Sequence, residues 1–146
     1  MPNKSLRVLF LYNSITNYTV MNKRILMLSN DSLLLNFLNR ELIFQGFEVK
    51  SIEQEELFPT IHNFSPDVVL IDFILDDMNG AALCHQVTSN PETRDIQVII
   101  VSDLPNLQKF SNKFGSNAVV NKSLNRTVFV QKILAALGVQ KTAMAS

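Results

Sequence analysis

Pro66-Asp67-Val68-Val69-Leu70-Ile71-Asp72-Phe73-Ile74-Leu75-Asp76-Asp77-Met78-Asn79-Gly80 is the stretch that decides how this chain folds. Pro66 restarts the backbone, and four consecutive apolar residues, Val68 to Ile71, follow. A strand with one wet face would alternate apolar and polar residues. An unbroken run is what a strand covered on both faces requires. The run stops at a carboxylate, Asp72, and Gly80 to Val87 then reads as a short helix.

Two more runs resemble it: Ile25-Leu26-Met27-Leu28, and Ile96 to Val101 ending at Ser102. Ala118-Val119-Val120 is a short strand ending at Asn121-Lys122, and Phe47 to Ile52 alternates as an edge strand should. Helical spacing fills the gaps. Ser32 to Gln45 carries Leu34, Leu35, Leu38 and Leu42, with Gly46 as its stop. Glu55 to Phe64 carries Leu57, Ile61 and Phe64, with Pro59 making it short or kinked. Pro105 opens a helix with Leu107, Phe110 and Phe114 on one stripe, stopped by Gly115. Asn125 to Leu137 turns Val130, Ile133, Leu134 and Leu137 inward, capped by Gly138. Five strand–helix units predict an α/β domain, a parallel sheet with helices on each side. Ligand chemistry in such sheets collects at the carboxyl ends of the strands. The candidates are therefore Ser29-Asn30-Asp31, Asp72, Ser102-Asp103 and Asn121-Lys122.

Composition narrows the function. The 146 residues make one domain, and 47% hydrophobic against 18% charged residues supply a core and argue against disorder. Thirteen basic and thirteen acidic residues leave no net charge, so nothing favours a nucleic-acid partner. A lone cysteine, Cys84, excludes a disulfide framework within the chain and fits a cytoplasmic, reducing setting. No apolar stretch reaches the ~18–20 residues of a membrane span. Residues 1–22 read as an N-terminal extension: a poorly packed segment, sequence upstream of a second start at Met21, or an extra strand from Leu6 to Tyr12. The domain itself spans 23–138, and 139–146 is a C-terminal tail.

Several chemistries drop out. The four glycines are isolated, so there is no phosphate-cradling loop. Ile74 stands where aspartate-nucleophile phosphatases place a second carboxylate two residues after the first. Cys84 and His85 are adjacent on a helix and point apart, so they form no nucleophile–base pair, and His62 and His85 read as surface residues without metal. What remains is one carboxylate, one hydroxyl and one lysine at three strand ends. Asp72 as a plain strand-end cap with Lys122 as its counter-ion is the bland account of them.

From Lys23 to Leu137 the sequence resembles a response-regulator receiver domain of two-component signalling. The stretch from Pro66 to Gly80 resembles the family's signature around its phosphorylated aspartate, Val98-Ile99-Ile100-Val101-Ser102 the strand ending in its switch hydroxyl, and Gly115 to Lys122 the segment ending in its lysine. The resemblance implies a flavodoxin-like three-layer fold with sheet order 2-1-3-4-5. It also implies Asp72 as phosphoacceptor, Ser102 as switch hydroxyl, Lys122 as the fixed cation, and a magnesium ion. Three departures stand out. The family's two acidic residues after the first strand are Ser29 and Asn30 here, with Asp31 one place late. Mg2+ would then rely on Asp72, the backbone carbonyl of Ile74, Asn30 and, in a slipped register, Asp31, and be held weakly or not at all. Ser123 replaces the proline that usually follows the lysine in a cis peptide, and is expected in trans. Val119 replaces a frequent aromatic residue.

The implied function is regulatory, not enzymatic. A histidine kinase or phosphotransfer protein donates to Asp72, and a separate protein partner reads the helix 4–strand 5–helix 5 face, because nine residues after Leu137 leave no room for an output domain. The competing reading is a degenerate receiver, an interaction module indifferent to phosphate.

Overall fold

The structure is a computed structural model that describes residues 23–76 and 78–138; the extension at 1–22 and the tail at 139–146 lie outside the described residues. Its elements run β1 (Arg24–Leu28), α1 (Ser32–Phe44), β2 (Glu48–Ser51), α2 (Leu57–Phe64), β3 (Val68–Asp72), α3 (Gly80–Ser89), β4 (Gln97–Ser102), α4 (Ser111–Phe114), β5 (Ala118–Asn121) and α5 (Arg126–Ala136). The strands form one parallel sheet in the order β2-β1-β3-β4-β5, as expected.

The apolar runs explain why the central strands sit where they do. Along β1, Ile25 and Met27 join a core with Leu38 and Leu42 of α1 and Phe129 and Ile133 of α5. Leu26 and Leu28 face the other way, into a core with Leu57 and Ile61 of α2, Leu83 and Cys84 of α3, and Leu107. Each strand residue thus feeds one of two cores, so alternation of polarity is lost. Burial of a leucine such as Leu38 or Leu42 contributes roughly 1.5–3 kcal/mol. Cys84 is a core thiol, pushed up to about 11 by burial, and is inert as a nucleophile.

Two segments differ from the expected pattern. Pro105 does not open a helix. Asn106 takes a left-handed backbone (φ 62°), a 3-10 turn covers Leu107–Phe110, and only Ser111–Phe114 is α-helical. A left-handed residue directly after Pro105 breaks any helix begun there. In α5 the buried residues are Phe129 and Ile133, with Leu137 at its C-cap; Val130 and Leu134 are half-buried. Pro59 lies in the first turn of α2, where an amide hydrogen has no helical partner to lose.

The sheet order reverses direction between β1 and β3, since β2 lies on one side of β1 and β4 on the far side of β3. A crevice opens at the carboxyl ends of such a pair. Ser29 follows β1 there, and Asp72 ends β3.

Candidate functional site

Asp72 is the last residue of β3, paired with Val101 of β4, and only 2% exposed. The loop after it is tightly folded. Phe73 N–H donates to the Val101 carbonyl at 2.8 Å, Gly80 N–H donates to the Phe73 carbonyl at 2.7 Å, and Ile74 pairs with Asn79 in an isolated bridge. Asn79 then caps α3, its Oδ1 accepting from Ala82 N–H at 2.8 Å. These contacts fix the direction in which the Asp72 carboxylate leaves the sheet.

Its two oxygens have different surroundings. Oδ2 accepts from Lys122 Nζ at 2.7 Å and from Ser29 Oγ at 2.8 Å. Oδ1 is buried and has no hydrogen-bond partner among the described residues. Buried polar atoms are nearly always paired, so the protein leaves Oδ1 to a partner from outside the chain, such as water or a ligand. Lys122 follows β5 and is brought in by register: Ser102 pairs with Asn121, and Lys122 N–H donates to the Ser102 carbonyl at 2.9 Å. Among the described residues every peptide bond is trans, that between Lys122 and Ser123 included.

Ser102 ends β4 beside this pair and is 1% exposed, but no hydrogen bond joins it to Asp72. Its Oγ accepts from Leu104 N–H at 3.0 Å, which leaves the hydroxyl hydrogen free to donate. Ile74 and Leu104, two residues past Asp72 and Ser102, are 56% and 41% exposed.

Asn30 and Asp31, expected to help hold a metal, each have a hydrogen-bond partner of their own. Asn30 donates its Nδ2 to Asp76 Oδ2 at 2.8 Å, a partner that sequence reasoning missed. β1 ends at Leu28, and Ser29 and Asn30 follow it directly. Asp31 caps α1 instead of turning to Asp72, its Oδ1 accepting from Leu34 N–H at 3.1 Å. Its own N–H donates to Ser29 Oγ at 3.0 Å and helps aim that hydroxyl. A magnesium ion prefers about six oxygens in octahedral array and relies on carboxylates for charge. Here the Asp72 carboxylate is buried, that of Asp76 is engaged by Asn30, and among the described residues no group of three His, Cys, Asp or Glu is gathered for a metal. Ser29 and Asn30 could offer such a cation only neutral oxygens, so its charge would be met chiefly by Asp72. Replacing Ser29 and Asn30 together by aspartate is expected to raise Mg2+ affinity about tenfold or more by adding charged oxygens, read by calorimetric titration. Unchanged affinity would show that the two positions do not face the cation.

The family model for the response regulator receiver domain matches residues 25–134. The chain belongs to that family. Receiver domains are regulatory parts of two-component signalling. Solved structures agree. The signal receiver domain of the DNA-binding response regulator merR from Colwellia psychrerythraea is 25% identical, covering 82% of this chain and 100% of that one, with a TM-score of 0.65. A CheY-like receiver domain protein from Methanospirillum hungatei is 27% identical, covering 80% and 94%, at 0.67. Response regulator TrrA from Thermotoga maritima, solved in complex with Mg(2+)-BeF, shares the fold at 20% identity, 78% and 98% coverage and a TM-score of 0.66. No curated protein matches the chain. Among the described residues no helix is long and apolar enough to cross a membrane.

Proposed function

We propose that this receiver accepts a phosphoryl group on Asp72 from a histidine kinase or phosphotransfer protein and passes the signal to a separate protein partner. The observation that carries the reading is the asymmetry of the buried Asp72 carboxylate: Oδ2 held by Lys122 and Ser29, Oδ1 unpaired. Transfer puts charge on the phosphoryl oxygens, and preformed donors must meet it. Lys122 supplies the positive charge, and the free hydrogen of Ser102 supplies a second donor. Because Leu104 N–H is tied to Ser102 Oγ, a movement of Ser102 towards the phosphoryl group draws the β4–α4 loop with it. That loop leads to the α4–β5–α5 face, which carries exposed Phe110 and half-buried Val119. A divalent cation is held weakly, if at all, for the reasons of the donor set. Zero net charge gives no case for a nucleic-acid partner.

The test is incubation with a small phosphodonor followed by intact-mass measurement. A phosphate adduct is expected in the native protein and absent in Asp72→Asn. No adduct on the native protein from either a small donor or a kinase would favour the second reading, an interaction module that works without phosphate. Ser29 and Asn30 in place of acids are the observation on that side.

The exposed Ile74 and Leu104 side chains bear on the lifetime of the phosphate. Hydrolysis needs a water aligned with the phosphorus, and two apolar side chains at the mouth exclude it and offer no hydrogen bond to orient it. Slow self-dephosphorylation is expected, with Ile74→Asn and Leu104→Glu each losing phosphate severalfold faster after donor removal. Unchanged decay in both variants would remove these residues from the mechanism.

A further inference from the structure

We infer that Ser29 is a positioning residue that lets Asp72 accept a phosphoryl group without a divalent cation. This rests on the reading of Asp72 as acceptor. A cation in such a site has two tasks. It fixes one carboxylate oxygen so that the other is the nucleophile, and it offsets the negative charge that two approaching anions bring together. Both tasks have protein groups assigned to them here. Ser29 Oγ donates to Oδ2 at 2.8 Å, and Lys122 Nζ donates to the same oxygen at 2.7 Å. An ionised carboxylate oxygen has two in-plane lone pairs, and on Oδ2 both are engaged. Those of Oδ1 are free. Lys122 brings the positive charge.

Ser29 is itself held. Its oxygen accepts from Asp31 N–H at 3.0 Å, so its single hydrogen is directed at Asp72. Asp31 is anchored in turn by capping α1. The chain of contacts runs from a helix terminus to the acceptor, across the crevice where the sheet order reverses. Asn30 donates its Nδ2 to Asp76 Oδ2, and its Oδ1 could bring a metal only a neutral oxygen.

The step balances with a phosphoramidate as donor, whether phosphohistidine or free phosphoramidate. An Oδ1 lone pair forms the new P–O bond while the P–N bond breaks. The donor is already protonated, on the P–N nitrogen of phosphoramidate or on the other ring nitrogen of phosphohistidine; the electron pair of the broken bond stays on the leaving nitrogen, which departs as neutral ammonia or imidazole, and the carboxylate becomes an acyl phosphate. Oδ1 makes no solvent contact, so the groups around it must shift to admit the phosphorus.

The experiment uses the full chain with free phosphoramidate, in excess EDTA and in excess Mg2+. Native protein is expected to be phosphorylated in EDTA at a rate within about threefold of that in Mg2+. Ser29→Ala is expected to slow the reaction roughly tenfold in EDTA, the loss of one hydrogen bond to a charged group. Ser29→Asp sets two carboxylates side by side, and is expected to react only when Mg2+ is present to join them. That change in cation dependence is one a merely structural role of Ser29 does not produce. A native rate at least tenfold lower in EDTA, with Asp72 still the labelled residue, overturns this inference and leaves the acceptor reading intact. So does a Ser29→Ala rate equal to the native one. Absence of any phosphoprotein under both conditions overturns both.

Discussion

Lys122→Ala is expected to lower the stability of the domain by about 3 kcal/mol, because removing one partner leaves an uncompensated buried charge. The loss should exceed that of Asp72→Asn, and the asymmetry follows from where the two side chains lie. Asp72 sits at a strand end with a side chain only 3% exposed and cannot reach water. Lys122 is on a long stem, 18% exposed, and without its partner can swing its ammonium outward. Ser29 still donates to Oδ2 in the lysine variant, which keeps the cost at the lower end of the range for broken buried pairs. Combining Lys122→Ala with Asp72→Asn should recover most of the stability, since the charge that suffered is gone. Urea unfolding of the two single variants and the double variant measures this. Equal losses in the single variants, or simple additivity in the double, would show that the pair is not the buried interaction that its geometry describes. Phosphoryl acceptance in Lys122→Ala should fall by roughly a hundredfold or more, as when a preformed electrostatic donor is removed from other transfer sites.

How much of this was legible beforehand varies with the physics of each part. β1, β3 and β4 were readable because burial on both faces writes an unbroken apolar run, and the residues just past them were readable because a parallel sheet aligns those ends. That placed Asp72, Ser102 and Lys122 near one another without any knowledge of contacts. The segment after β4 was not readable. Leu107, Phe110 and Phe114 have helical spacing, but the left-handed Asn106 and the short 3-10 turn come from backbone geometry that apolar spacing does not encode. Phe129 escaped because an inward stripe through Val130, Ile133, Leu134 and Leu137 was already complete without it, and rotation of α5 about its axis is set by packing on β5 and α1. At the site, a serine where an acid is expected gives no sign in the sequence that its hydroxyl donates to Asp72. A serine beside a buried aspartate is as useful a donor as an acid is a metal ligand. Its hydroxyl gains direction from Asp31 N–H, a contact two residues along the chain that composition cannot announce.

Gly80→Ala should cost about 3 kcal/mol, towards the upper end for overpacking, and should damage the site as well as the fold. A Cβ on Gly80 falls 2.4 Å from the carbonyl oxygen of Asp72, 2.9 Å from Ile71 Cγ2 and 3.0 Å from the Phe73 Cα. Two of these three atoms are backbone, so no rotamer change relieves them. The loop cannot simply swing away, because Gly80 N–H is bonded to the Phe73 carbonyl at 2.7 Å and α3 begins at Gly80 under the Asn79 cap. Room must therefore come from moving the end of β3, which carries the Asp72 carboxylate out of line with Lys122 and Ser29. Gly138→Ala is the contrasting variant. Gly138 has nothing within 4 Å of a built Cβ but a φ of +85°, so its penalty is torsional, about 1 kcal/mol, and distant from the site. Unfolding midpoints compare the two costs, and phosphoryl acceptance on Asp72 separates fold from function. Gly80→Ala should lose acceptance under conditions where it is still folded, while Gly138→Ala should lose only stability. Equal acceptance in both would mean that the end of β3 yields to the extra methyl group without moving the carboxylate.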